Sequence, residues 1–253
     1  MKAMVFAAGL GTRLRPLTDD RPKALVKING RTMLDLVLAR LRAFGITDVV
    51  VNAHHFADKL TAYLEANSNF GMKIQVSHED VLLDTGGGLK KAAPLFLADA
   101  ARRKEPILVH NVDVLSAIDF HRMEKAHGAS KALATLAVQK RSTSRYLLFD
   151  ENLLLCGRRI GSQATAEIVR KTKKAAPLAF TGIHIVSPRL FAGLTESGVF
   201  SIVNSYLRLA KQGEKIMAFR ADEYYWRDLG RPADLEKAAD DLRNPRLNGT
   251  LLV

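Results

Sequence analysis

The chain of 253 residues has one cysteine, one tryptophan, 7% aromatic residues and only 26 acidic residues against 38 basic ones. A lone cysteine, Cys156, cannot close an internal disulfide. No apolar run approaches the roughly 18–20 residues needed to span a bilayer, so a membrane-embedded enzyme is excluded and only peripheral contact stays open. The opening MKAMVFAAG carries neither a basic leader nor a cleavage site, and a cytoplasmic protein is expected. Few aromatics and no RNA- or DNA-binding signature argue against a nucleic-acid partner, although a formal charge of +12 keeps a polyanion-binding protein as the non-enzymatic reading. Apolar residues, by contrast, make up 47% of the chain, which rules out disorder and suits one large α/β domain or two small ones.

The acid deficit is local. Residues 1–45 and 140–174 each hold nine Lys/Arg and three Asp/Glu, and the remaining 20 basic and 20 acidic residues cancel. Solvated basic faces account for such runs as readily as ligand-gathering surfaces do.

Along the first half, strand and helix patterns alternate. An apolar run at 3–8 is followed by a glycine turn, helical spacing at 33–44 ends at Gly45, and strands at 48–52, 73–77 and 106–111 enclose helices at 57–66 and after the glycine cluster 86–88. Such alternation predicts right-handed βαβ units and a mostly parallel central sheet with helices on both faces, binding ligands beyond the carboxyl ends of its strands. Beyond about residue 130 the pattern changes to mixed or antiparallel additions. Strands are predicted at 132–139, 146–149, 153–155, 178–186, 216–219 and 224–227, with a turn at 150–152 and helices at 202–210 and 233–242. Residues 157–176 read as a loop or irregular insertion, and the tail after Asn244 as a weakly specified end. With no Pro/Ser-rich linker and no repeat, 1–253 is read as a single domain, with halves at about 1–130 and 131–243.

The residues that carry chemistry begin at the end of the first strand, in Ala8-Gly9-Leu10-Gly11-Thr12-Arg13, followed by Pro22-Lys23-Ala24-Leu25. Glycines after a strand allow backbone N–H groups close approach to a phosphate and permit φ > 0; the same pair also makes a plain tight turn. Arg13 and Lys23 would add positive side chains to those phosphates. A dinucleotide fingerprint would need a small residue where Leu14 stands, and the Gly-Lys-Ser/Thr of a P-loop occurs nowhere.

The run GLGTRLRPLT with PKAL resembles the signature of sugar-1-phosphate nucleotidyltransferases, whose catalytic domain is Rossmann-like. Later motifs extend the resemblance over nearly the whole chain. Asp84-Thr85-Gly86-Gly87-Gly88-Leu89 and the compact length look most like the N-acetylmuramate 1-phosphate uridylyltransferase branch, with GTP-using mannose and heptose 1-phosphate enzymes close neighbours. The resemblance implies an NTP and a sugar 1-phosphate as partners, Mg²⁺ as cofactor, and a monomer or small homo-oligomer. It implies that Ala8, Gly9, Gly11, Thr12, Arg13, Lys23, Glu79, Gly86, Gly87 and Asn111 bind the nucleotide, with Arg13 and Lys23 also catalytic. It implies that Asp113, which follows a predicted strand, and Asp228, in Trp226-Arg227-Asp228-Leu229-Gly230-Arg231-Pro232, hold the metal. Thr181 and Gly182 resemble the strand lining the family's sugar pocket, and Asn52, ending a strand, is placed with them. One departure stands out, since Val112 replaces the glycine that usually precedes the metal aspartate; it is the one feature that favours a nucleotide-sensing relative without turnover.

Other polar residues read as structural. His54-His55 lacks a third ligand at zinc spacing, and His110 and His184 sit in strands. Asp119 reads as a helix cap, and Cys156 as inert.

Overall fold

β1 (Lys2–Phe6) is buried along its whole length, as a strand must be when helices cover both faces of a parallel sheet. The computed structural model describes residues 1–161 and 165–244, so the tail after Asn244 and part of the 157–176 stretch lie outside the described residues. In chain order the remaining elements of the first half are β2 (Lys27–Ile28), β3 (Arg31–Thr32), α1 (Met33–Ala43), β4 (Asp48–Ala53), α2 (Ala57–Ala66), β5 (Lys73–His78), α3 (Asp84–Leu97), β6 (Ile107–Asn111), β7 (Val114–Ser116) and α4 (Phe120–Ser130). The second half adds β8 (Ala134–Gln139), β9 (Arg145–Phe149), β10 (Leu155–Ile160), β11 (Glu167–Ile168), β12 (Ala176–Val186), α5 (Leu190–Gly193), α6 (Ile202–Lys211), β13 (Ile216–Arg220), β14 (Trp226–Asp228) and α7 (Pro232–Arg243).

β6, β1, β4 and β5 run parallel in that order and form the core of a ten-stranded sheet. β12 enters antiparallel between β6 and β8, and β13 closes the edge parallel to β8. The fold is therefore the expected α/β sheet with mixed additions in the second half. Alternate residues of β1 divide two apolar clusters: Ala3 and Val5 face α1 and α2, whereas Met4 and Phe6 face α3 and α6.

Local chemistry sets the boundaries. Thr32 caps α1 by accepting the Asp35 N–H at 3.0 Å, and Asp119 caps α4 by accepting that of Arg122 at 2.9 Å, as its sequence position suggests. Asp150 Oδ1 accepts the N–H groups of Asn152 and Leu154 at 2.9 Å and makes the β9–β10 turn where it was expected. Two features depart from the sequence reading. Asn29-Gly30, both at positive φ, joins β2 to β3 in a short hairpin, a recognisable Asn-Gly signal that the helical pattern after it obscured. The stretch from 157 is not simply irregular, because β10 continues to Ile160 and pairs with β11. Gly157 makes this possible, since a Cβ there would lie 2.3 Å from the Glu167 carbonyl oxygen; the consecutive Arg158 and Arg159 and the exposed two-residue β11 gave no apolar run to read.

Three histidines are buried in this framework. Desolvation pushes His110 down to about 4, His127 to about 4 and His184 to about 3 from an ordinary 6.5. A group protonated more readily in the unfolded chain costs stability as pH falls. The fold is therefore expected to keep its full stability above about pH 6.5 and to lose it progressively toward pH 4, and His127→Gln, which keeps a partner for Thr135 Oγ1, should flatten that slope. Urea midpoints measured from pH 8 to 4.5 check this; an unchanged slope in the variant would refute it.

Candidate active site

Because β1, β4 and β6 are adjacent and parallel, their C-terminal ends open onto one crevice. The chain leaves β1 through Ala7 and Ala8, whose N–H groups both donate to Oδ1 of buried Asn52, at 2.7 and 3.3 Å. Nδ2 of Asn52 donates to Glu79 Oε1 at 2.7 Å, and Glu79 Oε2 accepts the Leu83 N–H at 3.0 Å. Gly88 lets α3 settle on this pair, since a Cβ there would come 2.6 Å from Glu79 Oε1. Gly11 takes the left-handed conformation, φ 67°, and its carbonyl accepts from the Thr18 hydroxyl at 3.0 Å. The glycine loop is thus held from beneath, leaving Gly9, Thr12 and Arg13 exposed above it.

Charge converges on the end of β6. Lys23 Nζ lies 2.7 Å from Asp113 Oδ2, with both side chains 14% exposed. β7 pairs with β14, setting Asp228 opposite Val114, and the Leu229 N–H donates to the Asp113 carbonyl at 2.8 Å. Two carboxylates distant in sequence are thereby fixed as neighbours. Asp228 Oδ1 accepts the Gly230 N–H at 2.6 Å. Gly230 is also where Arg13 lies down, because a Cβ on it would stand 2.5 Å from Arg13 Nη2. Val112 is fully buried in the apolar cluster, with its N–H donating to the Phe6 carbonyl at 3.1 Å, so its side chain stays out of the site.

Three contiguous cavities line up along the crevice, and Asn111 borders all of them. The first, about 410 Å³, is walled by Ala8, Gly9, Lys23, Asn52, Glu79 and Asp113. The second, about 550 Å³, lies between Thr85, Arg145, Tyr146, Arg158, Phe180 and Asn204. The third, about 680 Å³, joins Arg13, Asp113, Arg141, Gly182, Trp226 and Asp228. Gly182, at φ 79° within the register shift of β12, clears room for Asn111: a Cβ there would sit 2.7 Å from its amide nitrogen.

Four of the expected contact residues have partners within the protein. Gly86 and Gly87 sit inside α3 and are buried, and their N–H groups donate to the Phe200 carbonyl at 2.9 and 3.3 Å. A Cβ on Gly86 would lie 2.3 Å from the Phe200 ring and one on Gly87 2.5 Å from the Gly198 carbonyl oxygen, so these glycines admit the close packing of two chain segments. Asn52 stands with Glu79 under the glycine loop, apart from Thr181 and Gly182, and both ends of its amide are used there. The Thr181 hydroxyl is buried and donates to the Ala137 carbonyl at 2.9 Å, leaving its own carbonyl to accept Trp226 Nε1–H at 2.8 Å. Sequence reading missed Arg141, Arg145, Arg158 and Tyr146 as wall residues. Their only signal was the unexplained charge at 140–174, which the structure divides between this wall and the exposed Lys171, Lys173 and Lys174.

Comparison with known proteins gives this geometry a family. The nucleotidyl transferase family model matches residues 2–244. A relative named N-acetylmuramate alpha-1-phosphate uridylyltransferase, from Caulobacter vibrioides, is 36% identical over 91% of this chain and 92% of its own. A mannose-1-phosphate guanyltransferase from Candida albicans is 29% identical over 92% of this chain and 62% of its own. Among solved structures, a putative glucose-1-phosphate thymidylyltransferase from Bacillus anthracis shares the fold with a TM-score of 0.79, covering 96% of each chain at 17% identity. With its glycine loop, its paired carboxylates and a family match along almost its full length, the chain belongs to the nucleotidyl transferase family of enzymes.

Proposed function

We propose that the enzyme joins a nucleoside triphosphate to a sugar 1-phosphate, releasing pyrophosphate and an NDP-sugar, with UTP and N-acetylmuramate 1-phosphate as the preferred pair. The observation that carries this reading is the convergence of Arg13, Lys23, Asp113 and Asp228, from separate segments, on the end of one crevice. The identity of the relatives supports the choice of base and sugar.

An oxygen of the sugar phosphate attacks the α-phosphorus; the new P–O bond forms as the bond to the β-phosphate oxygen breaks, and pyrophosphate leaves with that electron pair. The nucleophile is already ionised, so no general base is needed, and alignment with charge neutralisation does the catalysis. Arg13, above the glycine loop, holds the β- and γ-phosphates and the charge that builds on the leaving group. Lys23 neutralises the α-phosphate while keeping Asp113 in place. Gly9 and Gly11 let the triphosphate approach the main chain closely.

The donor set fits Mg²⁺. Two neighbouring carboxylates supply hard oxygens, and such an ion takes one or two of these and fills its other positions with water and phosphate oxygens. Among the described residues there is no group of three or more His, Cys, Asp or Glu side chains that would hold a metal without substrate. Asp113 and Asp228 would hold the ion, which when bound neutralises phosphate charge.

Replacing Arg13 or Lys23 by Ala, or Asp113 or Asp228 by Asn, is expected to lower kcat/KM for pyrophosphate release by about 10²–10³ with the fold retained. Near-normal turnover in Asp113→Asn would sink the metal assignment. Asn52→Leu leaves Glu79 and two loop N–H groups without their buried partner, and is expected to cost about 1–3 kcal/mol of stability and most activity; an unchanged urea midpoint would refute the clamp. Pyrophosphate release measured for four NTPs against N-acetylmuramate, hexosamine, mannose and heptose 1-phosphates tests the substrate pair. Activity with GTP and a hexose 1-phosphate alone would overturn it.

A further inference from the structure

Arg141 is placed in the third cavity by contacts with neutral groups. Its guanidinium carbon stands 3.8 Å from the centroid of the Trp226 ring, and Nη2 donates to the Phe180 carbonyl at 3.0 Å. Trp226 is in turn pinned through its own N–H to the next carbonyl of β12, that of Thr181. One strand therefore holds both members of the stack. Nε of Arg141 is buried and has no hydrogen-bond partner among the described residues. Among the described residues no carboxylate stands at ion-pairing distance, although burial, which favours the neutral form, is opposed by the nearby charge of Asp228. A fixed, half-buried guanidinium with an orphaned N–H is a site for an anion, and its planar fork suits phosphate oxygens.

Position decides which anion. Arg13 and Lys23 come from the β1 side, next to the glycine loop, whereas Arg141 follows β8 and reaches the crevice from the β12 side, which also borders the second cavity. Displacement in line needs the attacking phosphate and the leaving pyrophosphate on opposite sides of the α-phosphorus. We infer that Arg141, held flat on Trp226, binds the phosphate group of the attacking sugar 1-phosphate. This rests on the proposed reaction but not on the identity of the sugar or the base.

Trp226 is the one tryptophan of the chain and reports on its own stack. Its fluorescence should respond saturably to inorganic phosphate, glucose 1-phosphate and N-acetylmuramate 1-phosphate. Arg141→Gln should weaken each of these at least tenfold, Arg141→Lys by less, and UTP affinity should stay within threefold. In turnover, KM for the best sugar phosphate should rise at least tenfold in Arg141→Gln with little change in KM for the nucleotide. Phosphate affinity within twofold of the parent, or a loss confined to UTP and pyrophosphate, would overturn the assignment. Should Arg141→Gln unfold, Arg141→Lys carries the test, and an unaltered KM for sugar phosphate in it is equally fatal. A wrong sugar assignment removes turnover with N-acetylmuramate 1-phosphate yet leaves the inorganic-phosphate result standing, so the two failures are distinct.

Discussion

The side-chain amide of Asn52 is the joint on which the crevice is built. Its oxygen gathers two N–H groups where the chain leaves β1, and its nitrogen engages Glu79, which follows β5 and reaches on to the residue before α3. Four elements are thereby tied by one buried polar group that is satisfied at both ends. Buried polar networks of this kind specify one arrangement because any other leaves a partner bare. The glycine loop owes its shape to this joint as much as to its own glycines.

Above the joint, the site balances charge within itself. Lys23 and Asp113 face each other across the end of β6, while Arg13 rests on Gly230 beside Asp228. Each acid has a base at hand, so a cluster of charges can persist in a half-buried place before four phosphates arrive. Main-chain pairing of β7 with β14, which no side chain mediates, supplies the adjacency of the two acids.

Sequence patterns made the parallel half legible, because β1, β4 and β6 are apolar runs and α1 has capped, periodic positions. The motif segments likewise led to Arg13, Lys23, Asp113 and Asp228. Roles were harder to read than positions. Gly86 packs on the Phe200 ring and Gly87 on the Gly198 carbonyl, neighbours more than a hundred positions away that no local motif announces. Asn52 at a strand end could point to a ligand or to the next loop. Arg141 had no motif at all, and its meaning depends on a tryptophan 85 positions later in the chain. The continuation of β10 to Ile160 and its pairing with β11 were obscured because an exposed, arginine-rich stretch lacks the apolar alternation by which strands are recognised.

The contact of Gly86 and Gly87 with Phe200 belongs to a seam between the two halves of the chain. Leu83 accepts the Phe200 N–H, Phe200 accepts that of Gly86, and the Thr85 hydroxyl accepts that of Ile202. Swinging one half away from the other would have to unzip this stitching. The pairing of β12 with β6 joins the same two parts of the chain within the sheet, so the first and second cavities, which Thr85 and its neighbours line, are framed by main-chain bonds at their floor and at their rim.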